Sequence, residues 1–232
     1  MITQTGYSNF LGTKNQELGT ALCNNASETL TSAQKQLWAK AEQAMEKGKE
    51  GNALFFAQCL LRSAPEFLAA RKLAREAARA VCATRSHGLF KKIQHKIQTL
   101  LLLQKATLLM KRHDLPGALM ILERILETVP DDLLANRMMV SVALQWLPPC
   151  YALALFAMET AAKTRPDDLS LQLELAALCL RPDATGESWN PERAMEAYHH
   201  ILSREPHHLA ARQGLNNASA LLSIKNGDWK KT

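Results

Sequence analysis

The chain has little that breaks a helix and nothing that staples a small fold. It has ten glycines and nine prolines among 232 residues, and hydrophobic residues make up 47%. That composition excludes a mainly disordered chain. Its five cysteines (Cys23, Cys59, Cys82, Cys150, Cys179) stand singly. They show no CxxC spacing, so reduced and mostly buried thiols are expected rather than a disulfide framework. Apolar runs are short: Leu100–Leu103 falls far below the roughly 20 residues that a bilayer span needs. No basic segment followed by an apolar run opens the sequence, so no secretory signal is expected, and a soluble cytoplasmic protein is the default. A glycine-rich phosphate loop, GxSxG and HExxH are also absent. The expectation is therefore no enzyme, no cofactor and no metal.

Acids are scarce in one region. Between Arg62 and Arg112 there are 12 Lys or Arg and only two acids, Glu66 and Glu76, a balance of +10 within a net charge of +6. The rest of the chain sums to −4, the difference of those two values. Such an asymmetry speaks about partners, not about fold.

What is present is helical periodicity. Gln98–Leu133 reads as two amphipathic helices, about Leu100–Arg112 and Pro116–Thr128, joined by His113-Asp114-Leu115. Leu102, Ala106 and Leu109 recur at helical spacing in the first, and Ala118, Leu122 and Ile125 in the second. Upstream, a helix starts at Thr31 or Ser32 with Leu37, Trp38, Ala41, Ala44 and Met45 on one side. Gly48 stops it and a second helix runs from Asn52 to about Ser63.

An internal repeat emerges when the prolines are aligned. Pro65, Pro130, Pro166 and Pro206 each open a P-x-x-L segment. Twelve residues before them stand Ala53, Ala118, Ala154 and Ala194; eight before, Ala57, Leu122, Met158 and Tyr198; five before, Leu60, Ile125, Ala161 and Ile201. One helix face is thus written four times, with a degenerate copy expected at about 66–98. Self-similarity at this period means stacked helical units, each burying its face on its neighbours.

These residues resemble the tetratricopeptide repeat family, whose unit is a helix–turn–helix of roughly 34 residues with small packing residues and a closing proline. The likeness covers about Ser32 to Ile224 and is best in Thr99–Pro130, where Ala106, Ala118 and Pro130 match. The closing ALLSIKNGDW resembles the last segment of some bacterial members. The resemblance implies an all-α, right-handed α-solenoid of stacked antiparallel helix pairs, about ten helices, spanning 31–226. A mobile N-terminal arm is expected over 1–30, where Tyr7, Phe10 and Leu11 stand, and a short tail over 227–232. Departures fall at Trp146–Tyr151, with two prolines, at the polar insert Arg181–Trp189, and at Ser86-His87-Gly88.

The family's groove is lined by the first helix of each unit. The aligned candidates are Trp38, Glu42, Leu103, Thr107, Met110, Lys111, Asn136, Met139, Ala143 and Trp146: either an apolar lining suited to a peptide or helix of another protein, or side chains that fill contacts within the array. Leu103 and Thr107 replace the lysine and asparagine of members that clamp a C-terminal carboxylate, so that clamp is not expected. A second candidate is a basic flank: Arg71, Lys72, Arg75 and Arg79 on one helix, then Lys91, Lys92 and Lys96. It suits an acidic protein segment, RNA or lipid headgroups, or else it is a solvated face paired with acids of a neighbouring unit. Few aromatics interleave with these cations, which argues against base stacking. Leu89–Met110 also reads as a basic amphipathic helix for a membrane surface, but its leucines run nearly all round and favour core. His199, His200, His207 and His208 sit near one junction and are read as surface residues. Asp131-Asp132 and Asp167-Asp168 are read as helix starts.

Overall fold

The computed structural model describes residues 30–65, 67–84, 89–147, 149–181 and 189–226, with the backbone alone for 89–93. The expected arm, the Ser86-His87-Gly88 break, most of the polar insert and the tail lie outside the described residues. Among the described residues the chain is all-α, with ten helices and no strand. In chain order they are α1 Ser32–Glu46, α2 Glu50–Ser63, α3 Leu68–Thr84, α4 Leu89–Lys111 and α5 Leu115–Thr128. Then come α6 Leu133–Gln145, α7 Tyr151–Thr164, α8 Leu169–Cys179, α9 Pro191–Arg204 and α10 Leu209–Asn226.

The four prolines build the same junction each time. In every case the carbonyl of the residue before proline accepts from the amide two residues after it: Phe67 to Ala64 at 3.2 Å, Asp132 to Val129 at 3.1 Å, Asp168 to Arg165 at 3.1 Å and His208 to Glu205 at 3.0 Å. The clash of the proline ring with its predecessor drives that residue out of the helical region. Ala64 (φ −140°, ψ 71°), Val129 (−133°, 79°) and Glu205 (−125°, 82°) accordingly share one conformation. The position after x-x is the first residue of the next helix: Leu68, Leu133, Leu169 and Leu209. At three junctions the preceding side chain caps that helix. Asp132 accepts from the Ala135 amide at 2.8 Å, Asp168 from Ser170 at 3.2 Å, and His208 Nδ1 from Ala211 at 3.2 Å. Each such cap satisfies an orphan amide of the helix's first turn. The Ser170 hydroxyl, which donates to Asp168 Oδ1 at 2.6 Å, is the main reason the exposed Asp168 carboxyl lies below its usual range.

The repeated face is the core. Ala53, Ala118, Ala154 and Ala194 are fully buried, as are Leu60, Ile125, Ala161 and Ile201, and Ala57, Leu122, Met158 and Tyr198 are buried too. Burying a leucine or isoleucine side chain contributes about 1.5–3 kcal/mol.

The chain divides into two compact units, Met1–Leu153 and Ala154–Thr232, with the boundary inside α7. In the first, α1, α2 and α3 pack together, α3 also packs on α5, and α4 packs on α5 and α6. Trp38 meets Phe67 edge-on at 5.1 Å. Thr31 and Gln34 form a reciprocal capping box at the start of α1, and Gly48 ends it with φ +62°. In the second unit α8, α9 and α10 pack together. There Tyr198 lies so close over Gly214 that a methyl group at that glycine would overlap its ring.

The periodicity leaves open whether a helix that begins near Leu89 bends near Thr99 or runs on to Arg112. The stretch Leu100–Arg112 is the last part of α4, which runs unbroken from Leu89 through Thr99 to Lys111. The degenerate copy at 66–98 therefore supplies one separate helix, α3, and its residues 89–98 belong to α4.

Candidate functional site

Two places in the first unit concentrate polar chemistry or uncovered apolar surface. The first is a cleft of about 480 Å³ between α2, α3 and α5. Its walls are Leu54, Leu61, Leu119 and Leu126, and Arg71, Arg75 and Glu123 line it as well. Spacing by four aligns Arg71, Arg75 and Arg79 on the side of α3 that meets α5. Arg71 is 1% exposed and donates from Nε to Glu123 Oε1 and from Nη2 to the Pro65 carbonyl at 2.8 Å. Arg75 is 2% exposed, 3.6 Å from Glu123 Oε2, and reaches the Pro130 carbonyl at 3.4 Å. Arg79 pairs with Asp131 at 2.7 Å near the surface. The row thus runs toward the carbonyl end of α5, where cations are favoured.

Burial pushes the Arg75 guanidinium down to about 10, with Arg71 and Arg79 adding to the fall and Glu123 opposing it. It remains a cation at neutral pH. Arg71 and Arg75 are therefore not part of a solvent-facing basic flank. Their charge is engaged by a carboxylate 52 residues downstream of Arg71 and by backbone carbonyls. Of the other flank candidates, Lys72 and Lys96 are exposed and Arg79 is partly so; the side chains of Lys91 and Lys92 lie outside the described residues.

The groove candidates divide in the same way. Leu103, Asn136, Met139, Ala143 and Trp146 are buried, as side chains that fill contacts within the array are. Asn136 donates from its side chain to the Asp132 carbonyl at 2.8 Å, inside its own helix turn. Trp38 and Met110 are half-buried, while Glu42, Thr107 and Lys111 are exposed. The structure does not bring these three helices' candidates into one lining.

The second place is α4 itself. Ile97, Leu100, Leu101 and Leu108 are 57%, 57%, 60% and 48% exposed. At about 100° per residue these four fall within an arc of about 100°. Leu102, Leu103, Ala106, Leu109 and Met110, which are buried or half-buried, occupy the opposite side, where α4 meets α5 and α6. Leu100, Leu101 and Leu108, expected in the core, are thus surface. Sequence reasoning missed this strip because leucines that run nearly all round the helix were read as core on every side.

Elsewhere the chemistry is quiet. Among the described residues no three His, Cys, Asp or Glu side chains come together as metal ligands. His200 Nε2 lies 3.0 Å from the Pro166 carbonyl and His208 caps α10, so both serve junctions. Burial pushes the Cys179 thiol up to about 11, which leaves it protonated and unreactive at neutral pH. No described helix is long and apolar enough to cross a membrane.

Comparison with known proteins gives a likeness among solved structures alone. No protein-family model matches the chain, and no curated protein matches it. Among solved structures it is similar to one titled "MamA RS-1 ArsTM double mutant", at 17% identity and a TM-score of 0.39, covering 87% of this chain and 89% of that one.

Proposed function

We propose that the chain is a non-catalytic scaffold of the cytoplasm that holds a segment of another protein on its helical stack. The observation that carries this reading is the uncovered strip Ile97, Leu100, Leu101 and Leu108 on a helix whose opposite side is packed. Exposed apolar side chains gathered on one face, here with exposed Gln104 among them, mark an interaction site. Binding of RNA or another anionic polymer through 71–96 is the weaker reading, since Arg71 and Arg75 are engaged internally.

The test is site-specific photocrosslinking of the full chain in a lysate, with a photoreactive phenylalanine analogue at Leu101 or, for comparison, at Phe55, an exposed residue of α2. A discrete protein adduct from Leu101 that survives nuclease and raised salt, and is absent from Phe55, is the expected result. Adducts that vanish with nuclease would transfer the function to an anionic polymer. No adduct from either position would end the scaffold reading for this face.

A further inference from the structure

Resting on the scaffold reading, we infer that the outward face of α4 docks an amphipathic helix of a partner protein whose apolar stripe is edged by Asp or Glu. The charge pattern around the strip selects this occupant. Between Leu89 and Lys111 the helix has no acid at all. Lys96 and Lys105, both exposed, lie about 40° beyond the two edges of the apolar arc, one on each side. Lys111, also exposed, stands within the arc's angular range one turn past Leu108.

A lysine on each border of an apolar strip does two things. Its stem extends the apolar surface, and its ammonium waits for an anion at the rim of whatever covers the strip. A second copy of α4 would place lysine against lysine, so self-pairing through this face is disfavoured. An acid-edged helix places carboxylates against Lys96 and Lys105 while its own leucines cover Leu100 and Leu101. Ile97 to Leu108 spans about 16 Å, so the occupant needs about three turns. Because the strip is opposite the face packed on α5 and α6, covering it requires no rearrangement of the unit.

The experiment uses the full chain and two amidated synthetic helices that share one leucine stripe. In one the stripe is edged by Glu, in the other by Lys. Fluorescence anisotropy at low salt is expected to show the Glu-edged helix binding about tenfold more tightly or better, with the margin shrinking as salt is raised. The double variant Lys96→Glu, Lys105→Glu is expected to reverse the preference, a readout that misfolding cannot produce. Leu101→Asp should weaken the favoured peptide about tenfold or more.

Equal binding of the two peptides, or none, would overturn the inference. So would binding to anionic phosphatidylglycerol vesicles, but not to the peptide, with loss on Leu101→Asp; that outcome assigns the strip to a lipid surface. If Leu101 crosslinks a protein whose capture is unchanged in the charge-reversed variant, the acidic-helix inference fails while the scaffold reading stands.

Discussion

Helices α3 and α4 are both basic, adjacent in sequence, and opposite in how they use their side chains. In α3 two arginines are almost fully buried, while in α4 Leu100, Leu101 and Leu108 are about half exposed or more. Burial of Arg71 and Arg75 in α3 breaks the usual assignment of charge to surface, and exposure of Leu100, Leu101 and Leu108 in α4 breaks that of leucine to core. A planar guanidinium tolerates burial when several acceptors surround it, and Glu123 with the Pro65 and Pro130 carbonyls supplies them. A leucine has no such dependence on a partner; it is covered only if another element lies on its side of the helix. The contrast teaches that helix exposure follows from what stands opposite, not from residue type.

The largest effect should come from removing what holds the arginines. Glu123→Ala leaves two buried guanidiniums without their carboxylate and is expected to cost about 3 kcal/mol in chemical denaturation. Added salt should not restore it. A loss below about 1 kcal/mol would mean that the carbonyls suffice and that the pair is incidental. Next in size, Leu103→Ala opens a cavity on the packed side of α4 and is expected to cost about 2–3 kcal/mol. Arg79→Ala, at the exposed end of the same row, removes only a solvated pair with Asp131 and should cost at most about 1 kcal/mol. A gradient from Arg71 to Arg79 in such measurements would sharpen the picture of a row that is core at one end and surface at the other. A uniform cost would break it.

Much of the fold was legible in the chain. The P-x-x-L alignment named twelve positions, and all twelve are buried. It worked because proline acts locally, forcing its predecessor out of the helix whatever the surroundings. The fate of α3 was not legible: its partner Glu123 lies 52 residues from Arg71, and no local pattern announces a contact at that separation. The strip on α4 was hidden for a different reason. Four consecutive leucines, Leu100–Leu103, point to four sides of a helix at about 100° steps. Periodicity then carries no information about which side is covered. Alignment with a repeat family gives the order of helices but not which flank of each is covered by the next, so it did not separate the buried groove candidates from the exposed ones.

The smallest stability effect is the most informative about function. Leu101→Gln and Leu103→Ala alter leucines two positions apart in one helix, yet the first is expected to change stability by no more than about 0.5 kcal/mol. Leu101 is 60% exposed, so folding removes little of its surface from water, and glutamine is a comparable helix former. Its replacement should leave the denaturation midpoint in place and lower only the tendency of the chain to bind apolar probes at this face. A destabilisation as large as that of Leu103→Ala would show that the strip is covered in solution by the chain itself. The face would then be core after all, and the contrast between α3 and α4 would collapse to a difference in charge alone.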